Sequence, residues 1–207
     1  MGLFFSGGSE PGRGAVSRSD FMKLVAIGGA GLLVHSNLLG SGPKRASAAP
    51  SRSQDIEILN FALLLEYIEK GFYEDAVAGG ALDGELLEFA RAVGRHERAH
   101  VALLEGALGK EAQPPPELDF GDATTDVDRF AATAVTLEDL GVGAYVGQGA
   151  NLTKAYRNTA ARIASVEGRH AAWIRDIVGK NPAPHAADKG LTAREVSKLV
   201  DETGFLN

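Results

Sequence analysis

Two stretches decide how this chain is read: His96-Glu97-Arg98-Ala99-His100 and, later, Val166-Glu167-Gly168-Arg169-His170. Each contains Glu-x-x-His, and each sits late in a long run of helical periodicity. Positions i and i+3 of a helix share a face, so Glu97 points with His100 and Glu167 with His170. A lone glutamate inside an apolar run precedes each pair: Glu66 in Leu63-Leu64-Leu65-Glu66-Tyr67, and Glu138 in Val135-Thr136-Leu137-Glu138-Asp139. The order is Glu, Glu-x-x-His, Glu, Glu-x-x-His. Four carboxylates and two imidazoles from four helices make the ligand set of a dinuclear iron or manganese site in a helix bundle.

Periodicity outside these stretches supports four long helices. The first covers roughly 54–78, with Ile56, Leu59, Leu63, Glu66, Tyr73 and Val77 on its inward stripe. Asp83 is placed to cap the second, whose stripe reads Leu86, Ala90, Val93, Glu97, His100, Leu104 and Ala107. The third starts near Asp126 and aligns Val127, Ala131, Ala134, Glu138, Tyr145 and Gln148. The fourth covers about 152–178, with Tyr156, Ala160, Ile163, Glu167, His170 and Ile174 at the seam. Thr192-Ala193-Arg194-Glu195 reads as a capping box for a short last helix ending near Thr203.

The link between the first two helices is short enough only for an antiparallel hairpin. The next, from about 110 to 126 and containing Pro114-Pro115-Pro116, is long enough to cross a bundle at ~3.3 Å per residue. The expected fold is therefore all-α: an antiparallel four-helix bundle with a long crossover between the second and third helices and a short C-terminal helix. Glycines 141, 143, 147 and 149 are unusual inside a helix, each costing roughly 1 kcal/mol against alanine. They imply either close packing or a break. The second half echoes the first, since Glu138 follows Glu66, Glu167 follows Glu97, and Tyr73 and Tyr145 each lie seven residues past a lone glutamate.

Six ionisable groups on core stripes need compensation, because a buried unpaired carboxylate is severely destabilising. Two divalent cations would neutralise four carboxylates, with the imidazoles as neutral donors. Oxygen and imidazole donors suit iron or manganese, and zinc is also accepted. A polar core without metal is the competing reading, and a single Glu-x-x-His would not outweigh it; two at equivalent places do. Tyr73 and Tyr145 are expected to pack as aromatics, with hydrogen bonding to the ligands as the alternative. Glu69 is expected to be a solvated charge, with an extra ligand as the alternative, and His96 falls off the stripe. Trp173 reads as packing, and His185 has no evident partner.

With 207 residues, 44% hydrophobic and 23% charged, the chain can bury one sizeable core and carry a leader. The absence of cysteine excludes disulfides, thiolate nucleophiles and iron–sulfur clusters. The net charge of −6 gives no basic field for nucleic acid. Residues 1–48 read as an export signal, removed to leave a domain over 49–207. Ser17-Arg18-Ser19-Asp20-Phe21-Met22-Lys23 precedes a Gly-rich apolar run over 24–34, then Lys44-Arg45 and the small-residue cleavage signature Ala46-Ser47-Ala48. The run is too short for a permanent membrane span. The segment resembles a twin-arginine signal, although Ser19 stands where the second arginine belongs. A periplasmic or extracellular location is expected.

Residues 55–207 resemble the ferritin-like superfamily, and more closely its bacterial branch related to desiccation-associated proteins. The resemblance rests on Leu59-Asn60-Phe61-Ala62-Leu63-Leu64-Leu65-Glu66-Tyr67-Ile68-Glu69, the segment from His96 to His100, Leu137-Glu138-Asp139-Leu140-Gly141-Val142-Gly143-Ala144-Tyr145, and the segment ending at His170. It implies metal ligands at Glu66, Glu97, His100, Glu138, Glu167 and His170, the six reached from spacing. It also implies two divalent ions, iron ahead of manganese, with dioxygen or hydrogen peroxide as the small oxidant in iron or oxidative-stress handling. A non-catalytic protective protein with structural metals is the alternative, and an iron-storage cage ranks third. The oligomeric state stays open, a dimer included.

Overall fold

The structure, a computed structural model, describes residues 49–206, so the segment read as an export signal lies outside the described residues. Five α-helices follow one another: α1 (Arg52–Gly79), α2 (Gly84–Leu108), α3 (Val127–Gln148), α4 (Lys154–Ile177) and α5 (Ala193–Thr203). Their ends obey local chemistry. The Ser51 hydroxyl accepts from the Gln54 amide at the start of α1, and Gly80 closes it in the left-handed region at φ 71°. The Asp126 carboxylate accepts from the Arg129 amide, and Thr192 and Glu195 form a complete capping box on α5. Asp83 stands at the N-cap of α2, but its side chain makes no cap hydrogen bond.

The helices pair as two hairpins, α1 with α2 and α3 with α4, joined where α2 meets α4 and α1 meets α3. Late α1 meets early α3 through the stacked rings of Phe72 and Phe130, so these two run antiparallel. Trp173, late in α4, donates its indole N–H to Glu85 at the start of α2 and packs edge-on against Phe89. It therefore anchors one end of the bundle as well as filling space. At the other end, buried Asp55 in the first turn of α1 accepts from both the amide and the hydroxyl of Thr153, ahead of α4. Thus α1 and α4 run one way, α2 and α3 the other.

That arrangement requires the chain to return along the bundle between α2 and α3. The Asn60 side-chain amide donates to the Glu111 carbonyl and accepts from the Gln113 amide. Fifteen residues further along α1, Asp75 accepts from the Thr124 hydroxyl. The crossover therefore follows α1 for roughly 22 Å at ~1.5 Å per residue. Its path over Gly71 is close, since a Cβ there would come 3.0 Å from Leu118. With the crossover on its outer side, α1 is buried nearly all round from Ile58 to Glu69.

Of the four glycines, Gly141, Gly143 and Gly147 mark close packing within α3, while Gly149 stands at its end with open space around it. The helix is continuous, and the segment leading into α5 lies directly on it: the Leu191 amide donates to the Gly143 carbonyl, and a Cβ on Gly147 would sit 1.9 Å from the Leu191 carbonyl oxygen. Two apolar clusters fill the bundle, one around Phe72, Phe89, Phe130 and Ile174, the other around Leu59, Leu63, Leu104 and Ile163. The second and fourth helices change from one cluster to the other at their Glu-x-x-His pairs, α2 between Val93 and Val101 and α4 between Ile163 and Ile174, while α1 contributes to both clusters on either side of Glu66. The fold thus surrounds a polar centre with two plugs of hydrocarbon.

Candidate metal centre

The six residues picked out by spacing meet between those plugs. Glu66 comes from α1, Glu97 and His100 from α2, Glu138 from α3, and Glu167 and His170 from α4. The four glutamates are fully buried and the histidines are 5% and 3% exposed. Their donor atoms form two groups of four: Glu66, Glu97, His100 and Glu167 in one, Glu97, Glu138, Glu167 and His170 in the other. Glu97 and Glu167 belong to both. Their oxygens divide accordingly. Glu97 places Oε2 2.8 Å from His100 Nδ1 and Oε1 3.1 Å from His170 Nδ1. Glu167 places Oε1 3.1 Å from His100 Nδ1 and Oε2 3.9 Å from His170 Nδ1. Each therefore turns one oxygen to each half of the centre, while Glu66 and Glu138 serve one half apiece.

The electrostatics of the bare protein show what this arrangement lacks. Burial pushes Glu66 up to about 8 despite its hydrogen bond from His100. Burial and the neighbouring carboxylates hold Glu167 well above the ordinary range. Burial alone would raise Glu97 too, but the adjacent imidazoles of His100 and His170 outweigh it and hold this carboxyl down to about 2. Contacts with Glu167, Glu66 and Glu97 overcome the burial of His100 and push it up to about 12, and contacts with Glu138 and Glu97 push His170 up to about 10. Even so, Glu97 Oε1, Glu138 Oε2, both oxygens of Glu167 and His170 Nδ1 are buried without a hydrogen-bond partner. Such groups are rarely left unsatisfied in a folded protein. All of these atoms belong to residues of the two groups, and carboxylate oxygens with imidazole nitrogens are a donor set for divalent metal. The residues fit a di-metal site.

The comparison with known families agrees with the geometry. Residues 54–180 match the family model of the ferritin-like domain. The chain belongs to the ferritin-like domain family. No match to a curated protein was found. The matched ferritin-like domain holds all four long helices and all six convergent side chains, while α5 lies beyond it.

Three residues around the ferritin-like centre depart from their expected roles. Tyr73 and Tyr145 do more than pack. Tyr73 on α1 donates its hydroxyl to Glu138 Oε1 on α3, and Tyr145 on α3 donates to Glu66 Oε1 on α1. Each crosses to the other hairpin and pins one oxygen of a terminal glutamate, leaving the second turned inward. Burial and the adjacent acids push both phenols well up, so both stay protonated donors. Glu69 is not a solvated charge: it is 2% exposed, one turn beyond Glu66. His96, though exposed, stacks on His170 with ring centroids 5.1 Å apart, and its Nδ1 lies 2.8 Å from His170 Nε2. That contact engages the nitrogen of His170 that faces away from the glutamates. His185 lies in the exposed loop after α4.

Proposed function

We propose that this ferritin-like domain holds two iron ions, with manganese as the alternative metal, and reacts with dioxygen or hydrogen peroxide as a ferroxidase- or peroxidase-type protein in iron or oxidative-stress handling. The observation that carries the reading is the division of oxygens by Glu97 and Glu167, one to each half of the centre. When bound, two ferrous ions would supply one electron each, which with two protons would suffice to reduce hydrogen peroxide to two waters. Glu66, Glu97, His100 and Glu167 would hold one ion, and Glu97, Glu138, Glu167 and His170 the other. Tyr73 and Tyr145 keep the terminal carboxylates oriented, and the surrounding hydrocarbon excludes bulk water. Anaerobic Fe(II) loading followed by addition of peroxide or air tests the reading. Oxidation of the bound iron by either oxidant, lost in Glu97→Ala, supports it, whereas full loading without reaction with either counts against it.

A second reading draws on the closure of the site, since none of the six residues is more than 5% exposed. In it the metals are structural, and the protein protects under stress without turnover. Chelation would then lower the melting temperature while no redox chemistry accompanied loading.

We further propose that residues 1–48 direct export to the periplasm or beyond by the twin-arginine route. Among the described residues no helix is long and apolar enough to cross a membrane. Cell fractionation with N-terminal sequencing tests this. A mature chain starting at Ala49 outside the cytoplasm supports it, and an intact cytoplasmic chain contradicts it.

A further inference from the structure

We propose that Glu69 is a seventh metal-directed side chain, a fifth carboxylate that only one half of the pseudo-symmetric site possesses, so that the two ion positions bind unequally. The inference rests on the di-metal reading above. Its starting point is the internal repeat. A shift of 72 residues carries Glu66 onto Glu138 and Tyr73 onto Tyr145, and the hydroxyls of the two tyrosines make equivalent crossed bonds. The same shift carries Glu69 onto Gly141, so here the repeat is broken.

The structure gives that break a spatial meaning. A Cβ built on Gly141 would come 3.1 Å from Glu69 Oε1 and 3.0 Å from Glu167 Oε2. The Glu69 carboxylate therefore lies in the room that a missing side chain leaves on α3, beside one of the two shared glutamates. Glu69 Oε1 is buried and has no hydrogen-bond partner. Burial and the neighbouring acids Glu167, Glu66, Glu138 and Glu97 all work against an ionised Glu69. A carboxylate packed among four others, with an unsatisfied oxygen, lacks a cation.

Glu69 stands outside both four-donor groups, so it adds to them rather than completing either. A centre with identical halves would bind its two ions alike. One additional carboxylate makes one position richer in oxygen donors, and harder, than the other. Gly141 is the matching half of the device, because any side chain there would displace either Glu69 or Glu167.

The test is a titration of the metal-free full-length protein with Mn(II), following free ion by its electron paramagnetic resonance signal, for wild type and Glu69→Gln. The amide keeps the shape and can still donate a hydrogen bond, so it separates ligation from packing. The expected result is two unequal sites in wild type and, in Glu69→Gln, at least a tenfold loss of affinity at one of them. The thermal stabilisation caused by metal would shrink in parallel, with the metal-free helix content unchanged. Two sites of unchanged affinity in Glu69→Gln would overturn the proposal while leaving the di-metal reading intact. A wild type that binds fewer than two ions would instead overturn the di-metal reading, and this inference with it.

Discussion

Tyr73 of α1 donates its hydroxyl to Glu138 of α3, 65 residues away, rather than to the glutamate of its own helix. Tyr145 of α3 returns the bond to Glu66 of α1. The two hairpins are thus tied across the centre by a reciprocal pair, and each terminal carboxylate has one oxygen fixed before any ion arrives. Preorganisation of this kind tightens metal binding through groups that never touch the metal.

Tyr73→Phe and Tyr145→Phe should each weaken metal binding by about 10- to 100-fold, the usual effect of removing a hydrogen bond behind a ligand. The rings still pack, so helix content should not change. Competition against a chelator of known affinity checks the effect, and equal affinity in wild type and both variants would remove the orienting role.

His96→Ala should affect one half of the centre more than the other, because His96 touches His170 and not Glu66 or Glu138. With His96 engaging Nε2, His170 is left to present Nδ1 to the glutamates. Its loss should weaken one ion by about tenfold and leave the second nearly unchanged. Uniform weakening of both ions in a stepwise titration would contradict this assignment.

The metal-free protein should lose stability as pH rises. Glu66 keeps its proton up to about 8 in the fold, against an ordinary value of 4.5. The contributions of His100 and His170 are full below the ordinary 6.5 and fade as pH climbs toward about 12 and about 10. In each case the folded chain binds protons that the unfolded chain has released, so stability falls with rising pH. Glu97, held down to about 2, acts oppositely, and its contribution is lost only as pH falls from 4.5 toward that value. Melting of the metal-free protein should therefore move to lower temperature between about pH 5 and pH 8. Metal uptake in weak buffer should release protons. Binding without proton release would show that the carboxylates are already ionised and the imidazoles already neutral.

Gly147→Ala should destabilise the fold by about 2–3 kcal/mol, the scale of overpacking, because its methyl would strike the Leu191 backbone. The strap before α5 must then lift. Since α5 contributes no donor to either group, metal stoichiometry should be unchanged. A lowered melting temperature with normal metal content is the expected pair of results, and an unchanged melting temperature would contradict the close approach.

Much of this was legible in the chain because helical spacing reports faces. Glu97 with His100 and Glu167 with His170 share a face by i,i+3 geometry, and the 17-odd residues around Pro114 could only be a long connection. What spacing does not report is what stands opposite. Glu69 lies one turn from Glu66 at a position that solvent or core could claim equally, and only Gly141 on another helix decides for the core. Spacing puts the tyrosines on the inward face, but their partners belong to the other hairpin and emerge only from packing. His96 falls off the stripe, yet its ring reaches round the helix to His170. For Gly143 and Gly147 the deciding neighbour is Leu191, more than forty residues on, which rests on both.

The account stands on Glu97 and Glu167 serving both halves of one centre. Metal content per chain, measured by elemental analysis on protein reconstituted anaerobically, tests this most directly in wild type, His170→Ala and Glu97→Ala/Glu167→Ala. About two iron or manganese ions in wild type, a loss confined mainly to one ion in His170→Ala, and the loss of both in the double variant is the predicted result. No stoichiometric metal in wild type, or two ions retained by the double variant, would contradict it.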